Sequence, residues 1–187
     1  MGPQRRPIAS TSAYLAAVTS AIGAHDNWHM PMSLAAAKAG KDICCQKPLG
    51  LDFGLTKLLR TVVRDQQRIF QFGTQYRSVP RYRQMIQLEG FCASNESMWQ
   101  VNFKPSDEQL MISAEHNRNF IDCVKSRQET ICPVEMAIRC DAICQIANIA
   151  ARTGRAIQWD AESETIIGDA DASQMLTLPY RDQWKVW

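Results

Sequence analysis

The sequence predicts an α/β fold, with a parallel sheet built in the order β-α-β-α-β and a mainly helical part after it. In the first half of the chain, short apolar runs alternate with segments whose apolar residues recur at helical spacing, which is typical of strands joined by crossover helices. The second half is dominated by two longer helical patterns. A chain of 187 residues with 45% hydrophobic content is long enough to bury a core.

The elements of the first half follow from periodicity and from the residues at their ends. We predict strands over 17–22, 43–45 and 69–72 and helices over 31–39 and 52–66. In the first helix, Pro31 stands near the start and Gly40 follows the end, an asymmetry that helices favour. The second helix has Leu55, Leu58, Leu59 and Val62 at i, i+3, i+4 and i+7, which gives it one apolar face.

The second half is predicted with less regularity. A short helix over 80–88 and a strand over 98–103 precede two helices over 114–127 and 134–153, and a strand follows over 156–159. The last long helix is apolar over a wide arc, which predicts that it is well buried; this arc contains Ala137, Cys140, Ile143, Cys144, Ile146, Ala147, Ile149 and Ala151. We place two domains at 1–90 and 91–187.

Polar segments follow each predicted strand of the sheet. His29, Lys47 and Arg77 lie in these segments. In an open parallel sheet, ligands bind in the crevice at the carboxyl ends of the strands, so topology alone predicts that these three residues share one crevice. The alternative interpretation, that all three are ordinary surface-loop residues, stays open at this point.

Composition excludes some classes of function. Lys+Arg is 21 and Asp+Glu is 19. The sequence therefore has no marked excess of basic residues that would indicate nucleic-acid binding. No apolar run approaches the roughly 18 residues of a membrane span, and no targeting signal precedes the first strand, so we expect a cytoplasmic protein without membrane association.

The seven cysteines are odd in number and no secretory signal accompanies them, which predicts reduced thiols rather than a disulfide framework. Cys140 and Cys144 at i, i+4, or His25 and His29 with cysteines, could share a zinc ion. The interpretation that we prefer is small apolar filler for the thiols, loop residues for the histidines, and no metal.

A first set of motifs lies in four segments that follow one another along the first half of the chain. They are His25-Asp26-Asn27-Trp28-His29, Ala39-Gly40-Lys41-Asp42, Cys45-Gln46-Lys47-Pro48-Leu49 and Phe72-Gly73-Thr74-Gln75-Tyr76-Arg77-Ser78. In order and spacing, these segments resemble the D-H-W-H turn, the A-G-K-D bend, the E-K-P loop and the G-T-Q-x-R-S strand end of the Gfo/Idh/MocA family of nicotinamide-dependent oxidoreductases.

The second set is similar to the C-terminal region of one bacterial branch of the family. It comprises the run from His116 to Arg127, Asn148-Ile149-Ala150, Trp159-Asp160, Gly168-Asp169 and Tyr180-Arg181-Asp182-Gln183-Trp184. The resemblance extends from Ala17 to Trp184, with an interruption between Phe91 and Gln109.

The resemblance implies a partial Rossmann-like sheet followed by a shortened remnant of a C-terminal α/β domain. It implies NAD or NADP as cofactor and a sugar, cyclitol or related polyol as substrate. By the resemblance, Lys47 is the catalytic residue at the reacting carbon, where it polarises the substrate oxygen. The cofactor-binding residues implied in the same way are Asp26, Trp28, His29, Lys47, Pro48, Gln75 and Arg77.

The sequence also departs from the family pattern. None of its nine glycines forms the G-x-G of a dinucleotide-binding loop, so we expect an incomplete and weak cofactor site. Between Gly90 and His116 there is little room for the family's substrate-domain sheet and its proton-transfer helix. Gln46 stands where the family has glutamate.

Two functional hypotheses therefore remain. The first is an NAD(P)-dependent oxidoreductase acting on a sugar, cyclitol or polyol through Lys47. The second is a catalytically inactive remnant that acts as a folding or assembly partner, because an unpaired strand edge of half a sheet tends to recruit another chain and favours a homo-oligomer.

Overall fold

The computed structural model describes residues 18–78 and 112–179. They form five strands and five α-helices. The strands are β1 (Thr19–Ile22), β2 (Asp42–Gln46), β3 (Phe70–Gly73), β4 (Trp159–Asp160) and β5 (Thr165–Ile166). The helices are α1 (His29–Lys38), α2 (Phe53–Asp65), α3 (His116–Ser126), α4 (Val134–Thr153) and α5 (Ala170–Gln174).

The first three strands form one parallel sheet in the order β1-β2-β3. Ile22 lies opposite Cys45 in β2, and Cys45 lies opposite Phe72 in β3. With α1 and α2 between the strands, the observed order is β-α-β-α-β, and the predicted α/β class with its partial Rossmann-like sheet is confirmed. All three strands end at the same edge of the sheet, as parallel strands must.

Local signals account for the ends of the helices. The Asp52 side chain caps α2 by accepting from the Leu55 backbone N–H at 2.8 Å, which satisfies one of the free donors of the first turn. Helix α4 begins after Pro133 and ends at Gly154, whose φ of 64° is left-handed and therefore suits glycine. Gly40 follows α1 with a φ of 74°.

One hydrophobic core joins the two halves of the described chain. It packs α1 and α2 and the sheet against the first half of α4, and its largest fully buried side chains include Phe53, Leu59 and Ile138. The Phe53 ring also meets Trp159 edge to face at 5.5 Å between centroids, an arrangement that aromatic pairs favour. The division into domains at residues 90 and 91 stays a prediction, because it falls outside the described residues.

The outer edge of β3 is covered by the segment that precedes α4. The backbone N–H of Phe72 donates to the Cys132 carbonyl at 2.9 Å, and the Thr130 hydroxyl donates to the Phe70 carbonyl at 2.8 Å. Because these groups are satisfied within the chain, a partner strand cannot pair with them. The predicted recruitment of another chain is thereby restricted to other surfaces and stays untested.

Ion pairs join elements that are distant in sequence. Arg60 on α2 forms a bidentate contact of 2.6 Å with Glu164 beside β5, and this guanidinium lowers the pKa of Glu164. Arg64 pairs with Glu135 at 2.6 Å, which links α2 to the first turn of α4. Bidentate pairs of this kind fix orientation as well as adding energy.

The last strand prediction and the burial of α4 require correction. The strand predicted over 156–159 is β4, which begins only at Trp159 and pairs with β5 in an antiparallel hairpin. Helix α4 is buried along its first half, but its predicted apolar arc is not covered throughout: Ile143 is 70% exposed, and Cys144, Ala147 and Ala151 are exposed as well. The arc is too wide for the sheet and α2 to cover, so one flank of the helix faces outward.

Some predicted elements lie outside the described residues, namely the helix over 80–88, the strand over 98–103 and the aromatic tail after Pro179. Among the described helices, none combines the length and the apolar character that a bilayer crossing requires.

Candidate functional site

The loop after β2 carries Lys47 at the carboxyl edge of the sheet. Strand β2 runs through the core, and its last residue, Gln46, is exposed, as is Lys47. The peptide bond between Lys47 and Pro48 is cis. The Pro48 carbonyl accepts a hydrogen bond from Nδ1 of His29 at 2.6 Å. This bond connects the Lys47 loop to the first residue of α1.

The loop after β3 lies beside the loop that carries Lys47. Residues Gln75–Ser78 form a single 3₁₀ turn. The side-chain Oε1 of Gln46 accepts from the backbone N–H of Lys47 at 3.1 Å and lies 3.4 Å from Nε2 of Gln75. The amide at position 46 therefore links the two loops, in the place where the resembled family carries a glutamate.

The two loops and α4 enclose a cleft of about 1280 Å³. This is large enough for a nicotinamide ring together with a small sugar. One wall consists of the loops after β2 and β3, and the opposite wall is a face of α4. Its polar lining residues include Lys47, Thr74, Gln75, Arg77, Glu129, Asp141, Gln145 and Asn148.

Helix α4 is fastened to both loops across the cleft. Nη2 of Arg77 lies 3.3 Å from Sγ of Cys140, and Nε2 of Gln145 donates to the Gly50 carbonyl at 3.0 Å. Gly50 itself packs so closely that a Cβ there would lie 2.6 Å from the Met30 side chain. The position of the helix relative to Lys47 is thus set by contacts with residues on both loops.

The predicted site residues separate into two groups. Lys47 and Arg77 line the cleft, as the topology predicts, and so do Pro48 and Gln75, which the resemblance implies. Asp26 and Trp28 belong to an exposed 3₁₀ turn that does not contribute to this lining. Their predicted role in cofactor binding stays a prediction.

The expectation that His29 shares an open crevice with Lys47 and Arg77 is corrected in part. His29 is only 1% exposed and does not line the cleft, because it begins α1 and its ring lies beneath the Lys47 loop. Its Nε2 is enclosed without a hydrogen-bond partner. His29 therefore contacts the loop that carries Lys47 and not the cleft itself.

Asp141 is a site residue that the sequence interpretation missed. It lies on α4, lines the cleft and is 5% exposed, and its Oδ2 has no hydrogen-bond partner. Burial raises its pKa from 3.8 to about 7, although Gln145, the Gly50 backbone and Thr56 act to lower it. The available signal is an acidic residue inside the apolar arc of a helix whose burial the sequence predicts.

The thiols and histidines form no metal site in the part of the chain that the structure describes, where no three His, Cys, Asp or Glu side chains come together. The six described cysteines are free thiols, in agreement with the predicted reduced state. Burial raises the pKa of Cys45 to about 12, so this thiol is unreactive. His116 is also buried, and its Nε2 donates to the Phe72 carbonyl at 2.9 Å, which joins α3 to β3.

The fold and the cleft define a class: an α/β protein with a cleft at the carboxyl ends of parallel strands, where ligands bind in sheets of this kind. The C-terminal alpha/beta domain model of the Gfo/Idh/MocA oxidoreductase family matches residues 101–186. The resemblance of this chain to the Gfo/Idh/MocA oxidoreductases is thus confirmed. A comparison with curated proteins finds no match.

Solved structures of several oxidoreductases are similar to part of the chain. KijD10, a 3-ketoreductase from Actinomadura kijaniata in complex with TDP-benzene and NADP, is 21% identical over 42% of this chain and 26% of its own, with a TM-score of 0.37. UDP-N-acetylglucosamine 3-dehydrogenase GnnA from Acidithiobacillus ferrooxidans is 24% identical over 44% of this chain and 27% of its own, with a TM-score of 0.35.

Scyllo-inositol dehydrogenase from Lactobacillus casei is 28% identical over 37% of this chain and 21% of its own, with a TM-score of 0.35. The chain therefore spans about a quarter of the length of the first two solved structures and somewhat less of the third.

Proposed function

We propose that this chain is an NAD(P)-dependent oxidoreductase of the Gfo/Idh/MocA type that acts on a sugar, cyclitol or related polyol. The observation that carries the proposal is the cleft at the carboxyl edge of the sheet, in which Lys47 and Arg77 face α4. The match of residues 101–186 to an oxidoreductase domain model supports the reaction class.

The chemistry of the lysine suits this reaction. Hydride transfer to a carbonyl leaves negative charge on the substrate oxygen, and an ammonium group nearby stabilises that charge. Lys47 is exposed at the cleft and makes no ion pair within residues 18–78 and 112–179. Its ammonium is therefore available to a substrate oxygen.

The residues fit one half of the cofactor better than the other. Lys47, Pro48, Gln75 and Arg77 line a cleft wide enough for the nicotinamide, which supplies or accepts the hydride when bound. No G-x-G in the sequence offers the close backbone approach that a pyrophosphate requires. Because several charge-assisted contacts of roughly 1.5–3 kcal/mol each are then lost, binding of NAD(P)H should be weak.

Titration of the purified chain with NADH and NADPH, followed by cofactor fluorescence, tests the proposal. We expect saturable binding, and hydride exchange with a panel of polyols that is lost in Lys47→Met, which keeps the aliphatic stem and removes the charge. Lys125→Met, on the exposed last turn of α3, is the matched control. Activity in Lys47→Met equal to that of the control would contradict the proposal.

A second candidate function rests on the exposed flank of α4. Ile143 is exposed beside Cys144 and Ala147, and apolar patches of this kind mark contacts with other proteins. In this alternative the chain is inactive and acts as a folding or assembly partner. Light scattering coupled to size-exclusion chromatography tests this alternative. A stable dimer that Ile143→Glu dissociates would support it, and a well-folded monomer that binds NADH would count against it.

A further inference from the structure

The carboxyl group of Asp141 is only partly satisfied by the contacts that surround it, because hydrogen bonding with Gln145, the Gly50 backbone and Thr56 lowers its pKa but leaves one oxygen without a partner. It caps no helix and forms no ion pair within the described residues. Its Oδ2 is enclosed without a hydrogen-bond partner, and a buried polar group left in that state destabilises the fold. A carboxyl group retained under these conditions beside a cleft calls for a functional explanation.

Residues on either side of Asp141 along α4 contact the two loops, and these contacts hold the helix segment that carries Asp141 in place. Cys140, the preceding residue, contacts Arg77 of the loop after β3. Gln145, one turn later, donates to the Gly50 carbonyl in the loop that begins with Lys47. Asp141 is therefore held against the cleft wall opposite the loop residues, with Gln145 and Asn148 following it at i+4 and i+7 along the same helix face.

We propose that Asp141 is a ligand-binding residue of the cleft, which accepts a hydrogen bond from a hydroxyl group of a bound sugar or cyclitol. The proposal rests on the function proposed above for the same cleft. Gln145 and Asn148 add amide groups beside it along the lining, and a polyol presents hydroxyls on successive carbons that suit such a row. A cationic ligand is disfavoured, because Lys47 and Arg77 line the same cleft.

The ionisation of Asp141 gives the binding a pH dependence. Burial raises the pKa of Asp141, whereas Gln145, the Gly50 backbone and Thr56 lower it, and the charge of Asp52, which caps α2, raises it as a smaller contribution. Cys140 and Cys144 accompany it on α4, and Lys47, Arg77 and Glu129 line the cleft from the other elements. A carboxylate accepts a hydroxyl hydrogen bond more strongly than a neutral carboxyl group does. Polyol affinity should therefore rise with pH, by about five-fold through neutrality.

The test is an NMR titration of the full chain with myo-inositol and with glucose, in the absence of cofactor, at pH 5.5 and at pH 8.5. We expect binding by the wild type to tighten at the higher pH. Asp141→Leu should weaken binding at least ten-fold, since it removes the acceptor and keeps the volume. Asp141→Asn keeps an acceptor without a charge, so it should bind with no pH dependence. Asp122→Asn, which alters an exposed carboxylate on α3, should behave as the wild type.

Equal binding by the wild type and Asp141→Leu would overturn the proposal, as would an Asp141→Asn variant that keeps the full pH dependence. If Asp141→Leu does not fold, the pH profile of Asp141→Asn decides. A wild type that binds NADH but neither polyol overturns this assignment and leaves the cofactor site standing. A wild type that binds a polyol through Asp141 but no NADH supports the assignment and contradicts the oxidoreductase function.

Discussion

A single carboxyl group in the cleft wall makes the stability of this protein depend on pH. Asp141 has a pKa of about 7 in the folded chain against an ordinary value of 3.8, and burial is the main cause. Below pH 3.8, the ordinary pKa, the Asp141 carboxyl group is protonated in both the folded and the unfolded chain. Between the two values the unfolded chain has lost the proton that the folded chain retains, so stability falls as the pH rises, and this loss is complete above about 7.

Asp141→Asn should therefore stabilise the protein by an amount that grows with pH. The amide has nearly the same shape and cannot ionise, so we expect little effect near pH 4 and a gain of up to about 4 kcal/mol at pH 8. Urea unfolding of both proteins at the two pH values measures this difference. A gain that is equal at both values would show that the carboxylate charge is not its origin.

At the same scale, the sequence predicts the motif residues better than it predicts their surroundings. Lys47 and Arg77 could be identified because each follows a strand whose end the periodicity marks, whereas Pro48 and Gln75 were implied only by the family resemblance. The structure brings all four to one cleft. Asp141 could not be identified, because the burial of its carboxyl group depends on how α4 packs against the loops. The same packing explains His29, whose loop position in the sequence hides the fact that its ring is enclosed.

Among the elements, the contact between β2 and β3 depends on a glycine. A Cβ at Gly73 would lie 2.9 Å from the Cα of Gln46 and 3.1 Å from the Cys45 carbonyl oxygen. Both are backbone atoms, so they cannot move aside without separating the strands. The close approach brings the ends of the two strands, and hence the Lys47 and Gln75 loops, within reach of one another.

Gly73→Ala should lower the free energy of unfolding by about 1–3 kcal/mol, as overpacking generally does, and should move the Lys47 loop. Gly23→Ala is the matched control, because a Cβ there meets nothing within 4 Å. Chemical denaturation gives the energies, and the Lys47 amide signal in an NMR spectrum reports the loop. If both variants are equally stable, the two strands do not require this close approach.

The helices and strands themselves are largely predictable, because their signals are local. Helix α4 begins and ends within a residue of its prediction, since Pro133 and Gly154 mark its ends. The hairpin of β4 and β5 could not be predicted in this way. Each strand has only two residues, and so short a run shows no periodicity. Helix α5, with five residues, was missed for the same reason.

At the scale of the whole molecule, an ion pair between the buried carboxylate of Asp42 and the partly exposed Arg127 joins the sheet to the end of α3. The carboxylate of Asp42, at the start of β2, pairs with Arg127 after α3 at 2.6 Å and accepts from the Ile69 backbone N–H at 2.8 Å. Arg127 also donates to the Gln67 carbonyl at 2.8 Å. This side chain therefore connects β2 and the turn after α2 to the end of α3.

Arg127→Gln should destabilise the protein by about 1–2 kcal/mol, because it leaves the Asp42 charge buried with fewer partners; the partial exposure of Arg127 keeps the cost below that of a fully buried pair. A double-mutant cycle with Asp42→Asn, followed by urea unfolding, isolates the pair. We expect the double variant to lose less free energy of unfolding than the two single variants lose together. Strict additivity would mean that the two side chains do not interact.

The parallel sheet could be predicted at this scale because alternating strands and helices permit few arrangements. The cleft could not, since it depends on α4 packing against α2 and on the 130–132 segment lying along β3. No local pattern encodes either contact.

The double anchoring of α4 also bears on how this protein can evolve. Asp141 lies between Cys140, which contacts Arg77, and Ala142, which belongs to the hydrophobic core. Under the ligand-binding role proposed for Asp141, neighbouring positions of one helix determine which molecule is recognised and whether the chain folds. Variants that broaden recognition will tend to erode the margin of stability, so laboratory selection for a new ligand should yield compensating changes in the core before the new preference becomes strong.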